Sequence, residues 1–367
     1  MLTAETKAQK CHVAFKGDVW CPFPLKVDTY QGCGHECLYC SARLQRRTAY
    51  QRTFHVPRSI ESLKRQMAGR TESTAWKLAL EGLTIQWGYA ADPFPPIEIE
   101  HKTSLDALRL FAHVGLSISI CTKSTIPGQK PYLQELKRLG NKVLFRMSLS
   151  TLDDETAAIL EPNAPPPSER LALLRRLKDA GLHTLVRLSP TIPGVTFERV
   201  TPEEIGKTLR RLREACDYVN FHPLQVDFRS EDTAWKPMFE ALGLSYSSWK
   251  KLYLDRARGR ESHFLTPADH WRTALIRNAR QAADEEGVKV GFDSGPGTMG
   301  AFLSDGPTCC GGWDGIRHNP DAIIPMVRDG RVNSMEFKRD FSLPPKHLGE
   351  VRAAIYKLFG KARRART

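Results

Sequence analysis

At 367 residues the chain is long enough for one large core, with or without an appendage. With 41% hydrophobic and 26% charged residues it has the composition of a soluble globular protein, and no apolar run approaches membrane-spanning length. The formal charge of +13, from 54 basic against 41 acidic residues, favours an anionic partner, nucleic acid first.

In chain order, residues 1–24 read as an irregular lead-in. Apolar, β-rich runs then occur at Leu25–Tyr30, Leu83–Tyr89, Leu116–Lys123, Val143–Ser150, Thr184–Pro190 and Tyr218–Val226. Helical patterns lie between them, near 58–69, 102–113, 130–139, 167–180 and 202–214. Strands alternating with helices indicate parallel βα units. About six units over 25–226 predict an α/β fold, a partial (β/α)6 TIM-like barrel, with functional groups at the C-terminal ends of its strands. Residues 227–265, rich in Trp, Tyr, Arg and Lys, break this rhythm and read as an insertion or lid. A helix near 267–286, a strand near 288–293 and a glycine-rich segment, 294–315, with the vicinal pair Cys309 and Cys310 follow. Residues 227–367 thus form a C-terminal extension, ending in a basic tail (Lys361, Arg363, Arg364, Arg366) suited to phosphate affinity without sequence reading.

The loop after the first strand carries Cys33, Cys37 and Cys40, spaced Cys-x3-Cys-x2-Cys. Three thiolates this close can hold three irons of a 4Fe–4S cluster and leave the fourth iron open to a substrate. A structural zinc site with His35 as fourth ligand is the competing reading. Against it, His35 sits between two of the cysteines and no second knuckle follows. Disulfides are the weaker alternative, because the nine cysteines are odd in number and no apolar signal segment opens the chain. A cytoplasmic location is expected, the host cytoplasm if the chain is viral.

This spacing resembles the radical S-adenosylmethionine (radical SAM) superfamily. Other strand ends carry further signals. In Gly88–Glu98, prolines fix an extended loop, and Asp92 and Glu98 are placed to hydrogen-bond a cofactor amine or a substrate, or to build the loop itself. Lys123 can pair with a carboxylate. Arg146, Ser148 and Ser150 alternate onto one face of the fourth strand, where an arginine and hydroxyls are costly without partners. Glu161 and Arg170 read as a structural pair, and Arg187 as a group for a cofactor carboxylate or a substrate phosphate.

The cluster loop through Arg43, the Gly88–Glu98 segment, Thr122–Ser124, Ser148 with Thr151–Asp153, Leu160–Pro162 and Pro190–Gly194 together resemble the spore photoproduct lyase-like branch of that superfamily. The resemblance covers about residues 25–225. It implies that Cys33, Cys37 and Cys40 ligate the cluster, that Lys123 and Ser148 contact S-adenosylmethionine, and that an electron donor such as flavodoxin or ferredoxin serves the reaction. It also implies a 5′-deoxyadenosyl radical acting on a thymine-derived base in DNA. Such a base must be flipped out or single-stranded to reach a barrel interior. Trp235, Tyr246, Trp249, Lys250, Lys251 and Tyr253 could supply stacking and phosphate contacts, or be a packing helix.

The sequence departs from the branch in two ways. Its N-terminal part is short, and no cysteine aligns with the repair lyases' hydrogen donor. Cys309 and Cys310 are donors only if their loop reaches the barrel mouth, while Cys11, Cys21 and Cys216 read as core. The missing donor places isomerisation or hypermodification of the base ahead of photoproduct repair. A metal-stabilised nucleic-acid-binding module without catalysis is the third reading.

Overall fold

The computed structural model describes residues 10–15, 23, 25–40, 42, 56–69, 73–253, 264–293, 303–305 and 309–316. Cys21, Arg43 and the basic tail lie outside the described residues.

Twelve strands lie among the described residues: β1 (Ala14–Phe15), β2 (Leu25–Val27), β3 (Tyr30–Gln31), β4 (Val56–Pro57), β5 (Ile85–Trp87), β6 (Ile118–Thr122), β7 (Val143–Leu149), β8 (His183–Thr191), β9 (Tyr218–Pro223), β10 (Val226–Asp227), β11 (Phe264–Leu265) and β12 (Val290–Phe292). Eight form one sheet in the order β1-β2-β5-β6-β7-β8-β9-β12. The six expected strands, β2 and β5 to β9, run parallel. The sheet is unclosed, as in a partial TIM-like barrel, because β1 and β12 do not pair.

The two edges refine the expected organisation. The lead-in is not wholly irregular, since β1 pairs antiparallel with β2. The C-terminal extension supplies β12, which lies parallel to β9. β1 is too short to stand out in the sequence, whereas β12 is the strand expected near 288–293; pairing with an existing sheet edge stabilises both.

Helices Thr103–Val114, Lys130–Leu139, Pro167–Asp179, Pro202–Leu212 and Asp269–Glu286 connect or flank the strands. Local chemistry starts and stops them. Asp153 and Thr201 accept hydrogen bonds from the N-terminal amides of the helices they precede, and proline opens the helices at 167 and 202. Gly115, at φ +73°, ends the Thr103–Val114 helix in the left-handed conformation.

Strand β7 is buried along its whole length, so both faces are covered. Its outward residues Phe145, Met147 and Leu149 join the large apolar layer beneath the helices, with Leu136, Leu174 and Leu209. Each such side chain contributes roughly 1.5–3 kcal/mol of burial free energy. Its inward residues alternate with these. Leu144 packs with Phe23, Leu185, Tyr218, Cys310 and Ile316 inside the barrel.

That inner cluster shows where segment 309–316 lies. The Cys309 carbonyl accepts from Asn220 Nδ2 of β9 at 2.8 Å, and the Gly315 carbonyl from Ser117 Oγ, just before β6, at 3.1 Å. His183 Nε2, at the start of β8, donates to the Asp314 carbonyl at 3.0 Å. The segment therefore descends the barrel interior from mid-sheet to the N-terminal ends of the strands. A Cβ on Gly291 would overlap the Cys309 carbonyl and the Tyr218 hydroxyl, so only glycine admits this approach.

The stretch after β10 forms the short helices Lys236–Ala241 and Tyr246–Lys250. Trp235, Phe239, Trp249 and Tyr253 are buried against Cys37, Tyr39, Leu160, Ile192 and Val226. The packing-helix reading therefore applies to Trp235, Trp249 and Tyr253. Their rings pack at a tilt against each other and are buried in one cluster with Cys37 and Tyr39 of the cysteine loop.

Candidate functional site

The cysteine loop leaves the sheet through β3 and turns at Gly32 (φ +82°) and Glu36 (φ +52°). The segment Leu160–Asn163 then clamps it. Leu38 N donates to the Leu160 carbonyl at 2.9 Å, Asn163 N to the His35 carbonyl at 3.3 Å, and the Tyr39 hydroxyl to Glu161 Oε1.

His35 is buried and already partnered. Its Nδ1 donates to the Asn163 carbonyl at 3.3 Å, and its Nε2 stands 3.2 Å from Asp92 Oδ2. Nε2 makes no hydrogen bond among the described residues, and the ring is turned towards Asp92 and Asn163. Cys33, Cys37 and Cys40 on the loop are in no disulfide, and among the described residues no three ligating side chains are gathered to hold a single metal ion. Burial pushes the Cys33 thiol up to about 12 and raises Cys37 as well, so both are inert until a metal takes the sulfur.

Asp92 accepts from Phe94 N (2.8 Å) and Thr122 Oγ1 (2.7 Å) on one oxygen and from Lys123 N (2.8 Å) on the other. Burial opposes its charge, but His35 and these donors outweigh it and hold the carboxyl below the usual carboxylate range. Asp92 thus joins the cysteine loop to the end of β6, in the loop-building role.

Glu98 lies elsewhere. It is fully buried, and its oxygens accept from Ser104 N, Leu105 N and the hydroxyls of Tyr30 and Tyr132. Four internal donors at the start of the Thr103–Val114 helix account for its lone pairs, so the expectation of a cofactor contact is corrected to a buried helix cap.

Lys123 is brought to Ser148, with Nζ donating to Ser148 Oγ at 2.8 Å; Ser148 Oγ in turn donates to the Ser189 carbonyl at 3.0 Å. Nζ also lies 3.7 Å from Glu161 Oε1 and over the Tyr39 ring. Glu161 is the hub. Its Oε2 meets Arg170 Nη1 at 2.5 Å, and Oε1 accepts from Ser150 Oγ at 2.8 Å as well as from Tyr39. Burial opposes the Glu161 charge, but Lys123 and Arg170 outweigh it and draw the carboxyl down to about 2. Burial likewise opposes the Lys123 ammonium, yet Glu161 holds it above its ordinary value. The expected Glu161–Arg170 pair is present, and the sequence did not disclose that it also carries the lysine and the cysteine loop.

Arg187 points to a different part of the mouth. Its Nη2 lies 3.2 Å from Asp293 Oδ2, which also stands 2.8 Å from His222 Nε2; His222 Nδ1 lies 3.1 Å from Ser189 Oγ. A polar chain therefore crosses the strand ends from Lys123 through Ser148, Ser189 and His222 to Asp293. Arg187 sits at its far end from the cysteine loop. His222 and Asp293 were missed in the sequence, although both follow the strand-end rule.

Cys309 and Cys310 enter the barrel interior rather than its rim. Their sulfurs are 4.0 Å apart, and Cys310 is buried.

The sequence profile of the radical SAM superfamily matches residues 27–212, just over half of the chain. The chain belongs to the radical SAM superfamily. Members use a 4Fe–4S cluster and S-adenosylmethionine, and these are the cofactors of this chain too. Among curated proteins, the uncharacterised protein ORF301 of Acidianus two-tailed virus is 28% identical over 188 residues, covering 50% of this chain and 61% of its own. The uncharacterised protein Mb2609c of Mycobacterium bovis is 27% identical over 183 residues, covering 48% and 52%. The chain thus spans little more than half the length of these relatives. Among solved structures, spore photoproduct lyase is similar in fold. A mutant with bound AdoMet and dinucleoside spore photoproduct superposes with a TM-score of 0.50 at 16% identity, over 72% of this chain and 74% of that one. A complex with dinucleoside spore photoproduct gives a TM-score of 0.50 at 15% identity, over the same shares. Among the described residues no helix is long and apolar enough to cross a membrane.

Proposed function

We propose that this radical SAM enzyme isomerises or hypermodifies a thymine-derived base in DNA, with hydrogen returned to the product from 5′-deoxyadenosine. Cys33, Cys37 and Cys40 hold the cluster, and Lys123 with Ser148 receives the carboxylate end of S-adenosylmethionine. Together these cofactors supply a 5′-deoxyadenosyl radical that takes hydrogen from a carbon of the base. The chain's own residues bind, orient and shield. Glu161 ties Lys123 to the cysteine loop through Tyr39, so cluster and cofactor keep one relative position. The buried aromatic cap of Trp235, Phe239 and Trp249 keeps water from Cys37. Arg187 is reassigned from the cofactor to the substrate side, because its partner Asp293, just after β12, ends the polar chain that starts at Lys123.

One observation carries the order of readings. The sequence placed isomerisation or hypermodification first, since no donor thiol aligned. Cys309 and Cys310 lie inside the barrel at the level of Asn220, in mid-strand and not at the rim, so that reason stands. This supports a rearrangement in which 5′-deoxyadenosine returns the hydrogen over a lyase-like reaction that needs a protein thiol. The DNA substrate rests on the +13 charge and on the dinucleoside bound by the spore photoproduct lyase of similar fold. A flavodoxin- or ferredoxin-type reductant completes the cycle.

The test is anaerobic reconstitution followed by turnover in heavy water with the dinucleoside spore photoproduct and with oligodeoxynucleotides. Retention of substrate hydrogen in the product supports the isomerase reading. Solvent deuterium in the product would restore the lyase-like reaction with a protein thiol donor. Failure to form 5′-deoxyadenosine, with no iron bound, would leave the nucleic-acid-binding module.

A further inference from the structure

Five large apolar side chains are exposed among the described residues: Leu80, Tyr89, Ile99, Ile159 and Leu244. Leu80, Ile99 and Ile159 lie in helices, and Leu244 follows the short helix Lys236–Ala241. Tyr89 is different. It is 42% exposed and stands two residues past the end of β5, at the end of the sheet where substrates are received.

The ring is held over the barrel interior. Leu25, Val27, Ile85 and Trp87 pack in the apolar layer beneath the helices. Lys26 and Gln86, which pair in register between them, therefore take the inner face. Lys26 Nζ lies over the Tyr89 ring, 4.7 Å from its centroid, so the ring sits on the inner side of the sheet. The backbone beneath it is fixed. Asp28 Oδ1 accepts from the amides of Tyr89 and Ala90, both at 3.1 Å. Gly88, at φ +90°, comes so close to β6 that a Cβ would stand 2.3 Å from the Cys121 carbonyl oxygen.

A second observation points to a ligand at this level. Trp87 pairs with Ile120, which sets Gly88 beside Cys121, and Cys121 pairs with Arg146 of β7. Arg146 thus lies on the inner wall at the height of Gly88, one residue before Tyr89. It is 2% exposed, and its Nε and Nη2 have no hydrogen-bond partner among the described residues. Ser119 Oγ of β6, in register with Gln86, is buried without one as well. Buried donors left unpaired are costly. The carbonyl oxygens of a thymine-type base are acceptors for donors of this kind.

We propose that Tyr89 is the platform on which the substrate's pyrimidine base stacks at the barrel mouth, with Lys26 behind the ring. The proposal rests on the DNA-base reading above and names the side chain that receives the base. A base taken out of a duplex loses its stacked neighbours, and an aromatic face replaces one of them. Lys26 covers one face of the ring, so the base meets the other. The locked backbone at Gly88–Ala90 keeps the ordering cost of that contact low. Lys26, Asp28 and Asp92 around the ring suit a flat group with polar edges better than the apolar surface of a protein partner.

The experiment uses the full, cluster-loaded chain under argon with a fluorescein-labelled oligothymidylate. A second strand carries iododeoxyuridine, a thymidine isostere that crosslinks on irradiation to an aromatic ring stacked on it. In anisotropy titrations Tyr89→Ala is expected to bind about 5- to 150-fold more weakly than wild type, the range of one base–aromatic stack. Tyr89→Phe should bind as wild type does, and so should Ile99→Ala, an exposed apolar side chain away from the mouth. The slope of log K against log salt should be the same for all, because no phosphate contact is removed. Peptide mass spectrometry should find the crosslink on Tyr89, a readout on the wild-type chain that does not depend on a variant folding. S-adenosylmethionine affinity, by calorimetry, should be unchanged in Tyr89→Ala. Equal oligothymidylate affinity in wild type and Tyr89→Ala, or crosslinks only elsewhere, overturns the platform and leaves the DNA-base reading standing. Loss of S-adenosylmethionine affinity alone overturns it too, by moving Tyr89 to the cofactor. A wild-type chain that binds no oligothymidylate overturns the DNA-base reading and the platform with it.

Discussion

Replacing Glu161 with Gln removes one charge from the hub of the site and little else. The amide keeps the shape and can still accept from Tyr39 and Ser150. Arg170, fully buried, and Lys123 lose their counter-charge. Two independent routes give the cost. Breaking a buried ion pair on one side is worth about 3–5 kcal/mol. The carboxyl is drawn from an ordinary 4.5 to about 2, a difference of about 2.5 pH units, or on the order of 3 kcal/mol at about 1.4 kcal/mol per unit. Because the folded value is depressed, this stabilisation is present above the unfolded value near 4.5 and is lost as pH falls through the folded value of about 2. At neutral pH, Glu161→Gln should therefore lower the free energy of unfolding in urea by about 3 kcal/mol. The wild-type advantage should shrink between about pH 5 and pH 2. Loosening Lys123 should also weaken S-adenosylmethionine binding in the reconstituted chain. A variant within about 1 kcal/mol of wild type at neutral pH, or an advantage flat across the acid window, would refute the hub argument.

Other consequences can be measured separately. Changing Cys33, Cys37 or Cys40 to Ala should each abolish cluster loading, read as bound iron and sulfide after anaerobic reconstitution, whereas Cys11→Ala should not. Glu98→Ala should cost about 2–4 kcal/mol in a urea titration, through orphaned buried donors. Its S-adenosylmethionine affinity, measured by calorimetry on the folded fraction, should be unchanged, and a selective loss of affinity would return Glu98 to the cofactor site. Trp249→Ala should destabilise by about 3–5 kcal/mol and speed cluster loss in air, followed by bleaching of the visible absorption. Oligodeoxynucleotide affinity should fall steeply with salt, log K decreasing linearly with log salt; a flat response would remove charge as the basis of DNA binding.

The six-unit barrel was legible because each strand carries an apolar run bounded by turn residues, and each helix a period of its own. The cysteine loop was legible because Cys33, Cys37 and Cys40 lie close together in one short segment. Lys123 and Ser148 were legible from their strand-end positions, though their 2.8 Å hydrogen bond was not. The edge strand β1 was not legible, being two residues long, whereas β12 is the strand expected near 288–293, though not its pairing with β9. Glu98 misled because a carboxylate in a proline-rich loop looks the same whether it faces a cofactor or caps a buried helix. The aromatic run after β10 was ambiguous for a similar reason, since stacking on a base and packing on a loop call for the same residue types.

The sequence by itself determined the chemistry: three thiols at a spacing that can hold three irons, on a loop after a parallel strand. Local spacing suffices for that because the ligands share one loop. Only the tertiary structure decided what surrounds the loop. Glu161 reaches Tyr39 across 122 residues, and Asp92 meets Lys123 across 31. Cys309 comes to Asn220 across 89 residues. Such contacts depend on strand order and on which face alternate residues take, and neither is written in any one segment. The strands bring distant residues to one end of the sheet, and burial then leaves charged and thiol groups no partners except each other.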